Sequence, residues 1–245
     1  MLRTVLVALA GLLGTASFAA SPLGIAASNA MTPNLVALPA SDFHLETDAT
    51  EQTVLRFSAT SWNDGLGPLE LVAGDVVNGK RNVSQRIYND DGSFSDHPAG
   101  SFEWHADHDH FHFGNYALYT LQPIAAPGAS ERTSSKTTFC IMDTDRVNTR
   151  LPGAPKRAQY TRCDRDVQGM SVGWGDTYGY HLAGQEIPVT HSGDYRLLLE
   201  FDPKNQLIEG NEGDNVSEVR LRIDLQAGTV ERLDGPTRPR PVRAS

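Results

Sequence analysis

The chain has 245 residues, with 21 Lys and Arg against 30 Asp and Glu, a formal net charge of −9 and 39% hydrophobic residues. That acidic balance argues against a nucleic-acid partner, which is held through phosphates by a basic face; it is compatible with a cationic substrate and equally explained by solubility. Glycine at 22 and proline at 14 residues suit a turn-rich globular chain large enough for one β-rich domain with a core.

At the N-terminus, MLRTVLVALAGLLGTASFAA (residues 1–20) has one basic residue, an apolar run and a small-residue end, the layout of a secretory signal peptide cut near Ala19 or Ala20. The run is too short to span a bilayer stably. The mature protein is therefore expected to be secreted, with no membrane partner once the signal is removed. Residues 21–32 read as a flexible segment, residues 33–226 as the main domain, and residues 227–245, ending in DGPTRPRPVRAS, as a Pro- and Arg-rich unstructured tail.

Within the main domain, alternating or β-branched runs predict strands over 53–62, 69–74, 110–122, 135–143, 185–191, 194–202 and 217–225, divided by Gly, Pro, Asn and Asp clusters. Residues 76–101 and 144–175 lack sustained alternation and read as long functional loops. Past the signal segment no window carries a helical period. The expected class is all-β: an antiparallel β-sandwich with long functional loops and little helix.

Cys140 and Cys163 are the two cysteines. In an exported chain an even pair most simply means a disulfide, contributing ~3 kcal/mol in the chain-entropy account. A soft metal site is the alternative, though it would want more thiolates nearby.

Four of the eight histidines fall in FEWHADHDHFHFGNYALYTL (residues 102–121). On a strand over 108–112, His108, His110 and His112 share one face, ~6.6–6.8 Å apart, and imidazole arms can converge on one ion. Asp109 and Phe111 then face away, as does His105 if the strand reaches back that far. Three imidazoles favour copper or zinc, and three protein ligands leave a position open for chemistry. A row of hydrogen-bonded histidines on a solvated strand is the plainer alternative. A zinc hydrolase is another, since EWHADH offers His105, Asp107 and His108. However, Glu103 stands where the first histidine of the metallo-β-lactamase pattern belongs, and the helices of that fold have no support here.

The ordered motifs resemble the lysyl oxidase family of copper-dependent amine oxidases. The histidine run keeps Trp104, His105, His108, His110, His112 and Tyr119. Downstream, KTTFCIMDTD is similar to a family block through Lys136, Phe139, Cys140, Asp143 and Thr144. QGMSVGWGDTYGY and SGDYRLLLEFDPKNQLIEGNEGDN continue the likeness in order. The resemblance implies copper on His108, His110 and His112. It also implies a self-derived lysine tyrosylquinone (LTQ) formed from Lys136 and Tyr178. With that cofactor, primary amines, either peptidyl lysine of a protein substrate or small amines, are oxidatively deaminated by dioxygen to aldehydes, releasing ammonia and hydrogen peroxide. Asp176, two residues before Tyr178 and so on the same strand face, is the candidate catalytic base. The turn IEGNEGDN offers Glu209, Asn211, Asp214 and Asn215 as hard oxygen ligands for calcium. By resemblance Asn34 and the Leu35 carbonyl join them, while an acidic β-turn without an ion is the alternative.

The sequence also departs from the animal enzymes. Leu118 stands where they carry a further histidine, and their other disulfides are missing. The competing reading is a non-catalytic exported copper- or zinc-binding β-sandwich.

Overall fold

A computed structural model describes residues 28–78, 80–105, 110–235 and 242–243. The expected signal peptide lies outside the described residues. Strands dominate: β1 (Ala30–Met31), β2 (Leu35–Thr47), β3 (Thr53–Asn63), β4 (Leu69–Val77), β5 (Lys80–Asn89) and β6 (Phe94–His105) come first. The middle of the chain supplies β7 (His110–Phe113), β8 (Ala117–Ala125), β9 (Arg132–Thr133), β10 (Asp145–Arg146), β11 (Val167–Met170) and β12 (Trp174–Tyr178). There follow β13 (Glu186–Pro188), β14 (Gly193–Phe201), a single 3₁₀ turn at Glu212–Asp214, β15 (Val216–Asp224), β16 (Thr229–Arg232) and β17 (Val242–Arg243). The class is all-β and antiparallel, in sheets ordered β11-β4-β5-β6-β7, β13-β3-β12-β10-β17 and β16-β15-β14-β8-β9. Among the described residues no helix is long and apolar enough to cross a membrane.

Period-2 patterning explains the central strands. In β15, Ser217, Val219, Leu221 and Ile223 point inward while the residues between them are exposed. Opposite them, Leu197 pairs with Val219 and also with Leu121 of β8. Buried aromatics fill the space between sheets. Phe139 packs edge-on against Tyr119 (5.9 Å) and Tyr116 (6.0 Å), and its far side meets Tyr178 at 4.7 Å. The core therefore runs directly into the site.

Five expectations need correction. Residues 76–101 are not a loop: they hold the β5–β6 hairpin. The pattern is masked because Gln85 occupies a fully buried position, made tolerable by two bonds to the Ile208 backbone (Nε2 to O 2.9 Å; N to Oε1 2.7 Å). The stretch 144–175 likewise contains β10, β11 and the start of β12. Conversely, 135–143 lies outside the named strands; it bridges Phe139 to Phe113 and accepts single backbone bonds from Gly169 of β11 and from Tyr116. Finally, β16 and β17 lie in the region expected to be an unstructured tail, and β1 lies in the segment expected to be flexible. β16 is held by pairing with β15, by Val230 packed on the core and by Arg232 bonded to Asp234. The 13-residue β2 was missed because two register shifts, between Leu38 and Ser41 and between Ser41 and His44, break its alternation.

Candidate functional site

The histidines come together through a hairpin rather than one long strand. β6 and β7 pair with His105 opposite His110 and Glu103 opposite His112. Directly opposed residues project to the same face of a sheet, so His105 joins His110 and His112 instead of facing away. Its ring lies 4.7 Å from that of His112, and the His110 ring lies 4.8 Å from His112. The two Nε2 atoms of His110 and His112 are 2.8 Å apart, converging on one point, while Nδ1 of the fully buried His112 contacts Thr138 Oγ1 at 3.3 Å. Trp104 and Phe111 occupy the opposite face, edge-on at 5.0 Å. His108, Asp107 and Asp109 lie in 106–109, outside the described residues. His105 was missed as a neighbour of the cluster because a sequence shows spacing along one strand, not which residue of a paired strand stands opposite.

His110 and His112 open onto a cavity of about 250 Å³ that is also lined by Lys136, Met142, Thr144, Cys163, Asp176, Thr177, Tyr178, Leu182 and Ala183. Tyr178 reaches it from the end of β12. Its hydroxyl donates to the Cys140 carbonyl (2.7 Å) and accepts from the Cys140 amide (2.8 Å). Cys140 is in turn disulfide-bonded to Cys163, which lines the cavity. The phenol is thus fixed at its oxygen, with its ring face toward Lys136. Nζ of Lys136 lies 5.3 Å from the Tyr178 ring centroid and 5.3 Å from that of Phe139, and it donates to the Ala183 carbonyl at 3.4 Å.

Burial sets the proton affinities here. It pushes Lys136 below the ordinary lysine value, favouring the neutral amine. It drives Tyr178 well above the usual phenol range, with the Asp176 charge adding to the effect. Asp176, on the Tyr178 side of β12, is 3% exposed. Burial raises it well above the usual carboxylate range, with Asp145 and Asp143 adding to the shift, while the Met142 amide, donating at 3.4 Å, opposes it.

The acidic turn forms a second cluster. Glu209 accepts from the Leu35 amide (Oε2, 2.5 Å) and from Asn215 Nδ2 (Oε1, 2.9 Å), and Asn34 Nδ2 donates to Asp214 Oδ2 at 3.1 Å. Asn211 caps the 3₁₀ turn by accepting from the Gly213 amide at 3.0 Å. Leu35 enters this cluster through its amide. Carboxylate oxygens of Asp202, Glu209 and Glu212 lie within 4.8 Å of one another, so Asp202 and Glu212 belong to the cluster although their spacing in the sequence had not singled them out. Oδ1 of Asn34, of Asp214 and of Asn215 are all buried without a hydrogen-bond partner. Burial raises Glu209 to about 8.

A family model described as "Lysyl oxidase" matches residues 81–232. Among curated proteins, lysyl oxidase homolog 4 of Mus musculus is 30% identical over 132 residues, covering 51% of this chain and 16% of that protein. Lysyl oxidase homolog 1 of Homo sapiens is 33% identical over 129 residues, covering 51% of this chain and 21% of that protein. Lysyl oxidase homolog 2 of Gallus gallus is 30% identical over 129 residues, covering 50% of this chain and 15% of that protein. The match thus spans roughly a fifth or less of these relatives' length.

Proposed function

Because the chain belongs to the lysyl oxidase family, we propose that it is a secreted amine oxidase that uses copper and a lysine tyrosylquinone formed from Lys136 and Tyr178. The substrates would be primary amines, peptidyl lysine or small amines, converted with dioxygen to aldehydes, ammonia and hydrogen peroxide. The observation that carries this reading is the meeting of Lys136 Nζ and the Tyr178 ring at 5.3 Å in one cavity with His110 and His112. The two residues are 42 positions apart in sequence and are brought to one cavity with the imidazoles only by the tertiary fold.

The donor set fits copper. Two imidazole nitrogens converge within 2.8 Å, nitrogen donors suit copper or zinc, and His110 and His112, together with His108, would hold the ion. When bound, copper and the quinone supply oxidising equivalents and an electron sink that amino-acid side chains lack. The chain's own residues do the rest. Cys140 fixes the Tyr178 oxygen through its amide and carbonyl, which orients the ring. Lys136, made less basic by burial, presents a neutral amine to that ring. Asp176 Oδ would take the proton from the substrate carbon bearing the amine, its raised affinity suiting it to hold that proton. Met142, Leu182 and Ala183 line the cavity with apolar surface.

The acidic turn fits calcium. Its three buried oxygens without partners, on Asn34, Asp214 and Asn215, and the carboxylates of Glu209, Asp202 and Glu212 form a hard-oxygen set. Calcium there would tie the start of the domain, at Asn34 and Leu35, to the turn before β15.

The test is peroxide release from copper-loaded protein given a diamine and a lysine-containing peptide, with peptide mapping of the same sample. Peroxide together with a peptide joining Lys136 to Tyr178 is the expected result. Full copper occupancy with neither product would leave a metal-binding β-sandwich without oxidase activity.

A further inference from the structure

Lys136 lies on no regular strand, so something else must set the reach of its amine. Its stem packs on the turn 179–185. The Ala183 carbonyl accepts from Nζ, and a Cβ placed on Gly184, whose φ is +74°, would meet Lys136 Cδ at 3.1 Å and Cβ at 3.2 Å. That turn follows Tyr178 directly, so its conformation governs both partners of the proposed cross-link.

The turn closes on itself by two backbone bonds, Leu182 N to Gly179 O (3.0 Å) and Gln185 N to Leu182 O (3.2 Å), and one side chain ties its carbonyls to β3. Arg56 sits in β3 opposite Glu186 and His44. Its Nη1 donates to the carbonyls of Tyr180 (2.7 Å) and Leu182 (3.2 Å). Its Nη2 pairs with Glu186, and its Nε with Glu46 at 3.1 Å. The Arg56 side chain is 16% exposed, and its guanidinium uses donors on all three nitrogens. Tyr180 is further fixed by stacking on His44 at 4.0 Å and by its amide donating to Ser58 Oγ at 3.1 Å. A planar fork can reach two carbonyls and two carboxylates together; an ammonium, with three donors at one point, cannot.

We propose that Arg56 is a positioning residue for cofactor formation: by clamping the turn 179–185 it cradles Lys136 against Tyr178. The inference rests on the quinone reading above. The reaction it serves forms two bonds to the Tyr178 ring, C–N from Lys136 Nζ and C–O from dioxygen, and breaks two ring C–H bonds, the phenol O–H bond and one N–H bond of the lysine. Two molecules of dioxygen are consumed. One oxygen atom stays on the ring, and the four hydrogens lost leave as one water and one hydrogen peroxide.

The test compares wild type, Arg56→Lys and Gly184→Ala as full chains expressed without copper and then loaded with it under air. The cross-linked fraction is followed over time by peptide mapping, and copper stoichiometry is measured in parallel. Arg56→Lys keeps the charge but not the fork. Gly184→Ala leaves Arg56 alone and pushes on the Lys136 stem, so it tests the cradle even if the arginine variant does not fold. Both variants should bind copper as wild type does and cross-link about tenfold more slowly or worse. Turnover divided by the cross-linked fraction should stay at the wild-type value for Arg56→Lys, a split that general destabilisation would not produce. Wild-type cross-linking rates in the folded variants would overturn the role of Arg56. Absence of any cross-link in wild type would instead overturn the quinone reading on which it rests.

Discussion

The cavity around Tyr178 and the acidic turn around Glu209 both gather polar side chains under partial burial, yet they are built in opposite ways. The cavity draws His110 and His112 from one hairpin, Asp176 and Tyr178 from β12, and Lys136 and Ala183 from irregular chain, and sets them among apolar walls. Its donors are nitrogen atoms, and its acid and amine are shifted toward their neutral forms by desolvation. The turn draws most of its groups from the seven residues 209–215 and offers oxygen, with three oxygens left without partners. The first arrangement suits chemistry on a captured molecule, the second suits a structural cation. Damage to the cavity should remove activity while largely sparing the fold, and damage to the turn should do the reverse.

The largest effect that would sharpen this contrast is at the proposed cross-link. Lys136→Arg should bring peroxide release to background with copper binding intact. Tyr178→Phe should do the same and also lower stability by ~1–3 kcal/mol, because the buried Cys140 amide and carbonyl lose their partner. Wild-type turnover in either variant would break the cofactor assignment. His110→Ala should differ from both by losing copper as well as activity.

Next in size is Asp176→Asn, expected to lower kcat/KM by ~10²–10⁴ while the cross-link still forms. A base must be ionised to act, and burial holds this carboxyl protonated to higher pH than an ordinary aspartate. Wild-type kcat/KM should therefore climb as pH rises through that raised value, and the asparagine variant should lose this limb. If both profiles coincide, Asp176 is not the base.

For the acidic turn, calcium at a hundredfold excess over its dissociation constant should stabilise the wild type by ~2.7 kcal/mol. That corresponds to a Tm rise of about 5–10 °C for a domain of this size. In Glu209→Gln the rise should disappear, with turnover per cross-linked molecule unchanged. A calcium effect on turnover without one on Tm would overturn the division between the two regions.

The smallest effect concerns Lys136. Its amine must be neutral to attack, and burial lowers its proton affinity. Cross-link formation should thus accelerate with rising pH and level off below the pH at which an exposed lysine would lose its proton. A midpoint at the ordinary lysine value would mean the amine is solvated when it reacts.

Much of this protein was legible in its residues. Period-2 runs such as 217–225 identified central strands because one face of each is buried and the other wet. The ordered motifs from Trp104 to Asn215 carried the likeness to the lysyl oxidase family, and chemical type alone separated nitrogen from oxygen donors. The tertiary structure decided what periodicity cannot express. Gln85 lies in the core because the Ile208 backbone satisfies it, and β2 is a strand despite two shifts of register. His105 stands on the histidine face because β6 pairs with β7 with His105 opposite His110. Lys136 meets Tyr178, and Arg56 reaches the turn beside them, only through contacts between segments distant in sequence. Local pattern reports what each residue prefers to face; which distant residue it faces is settled when the sheets close around a shared core.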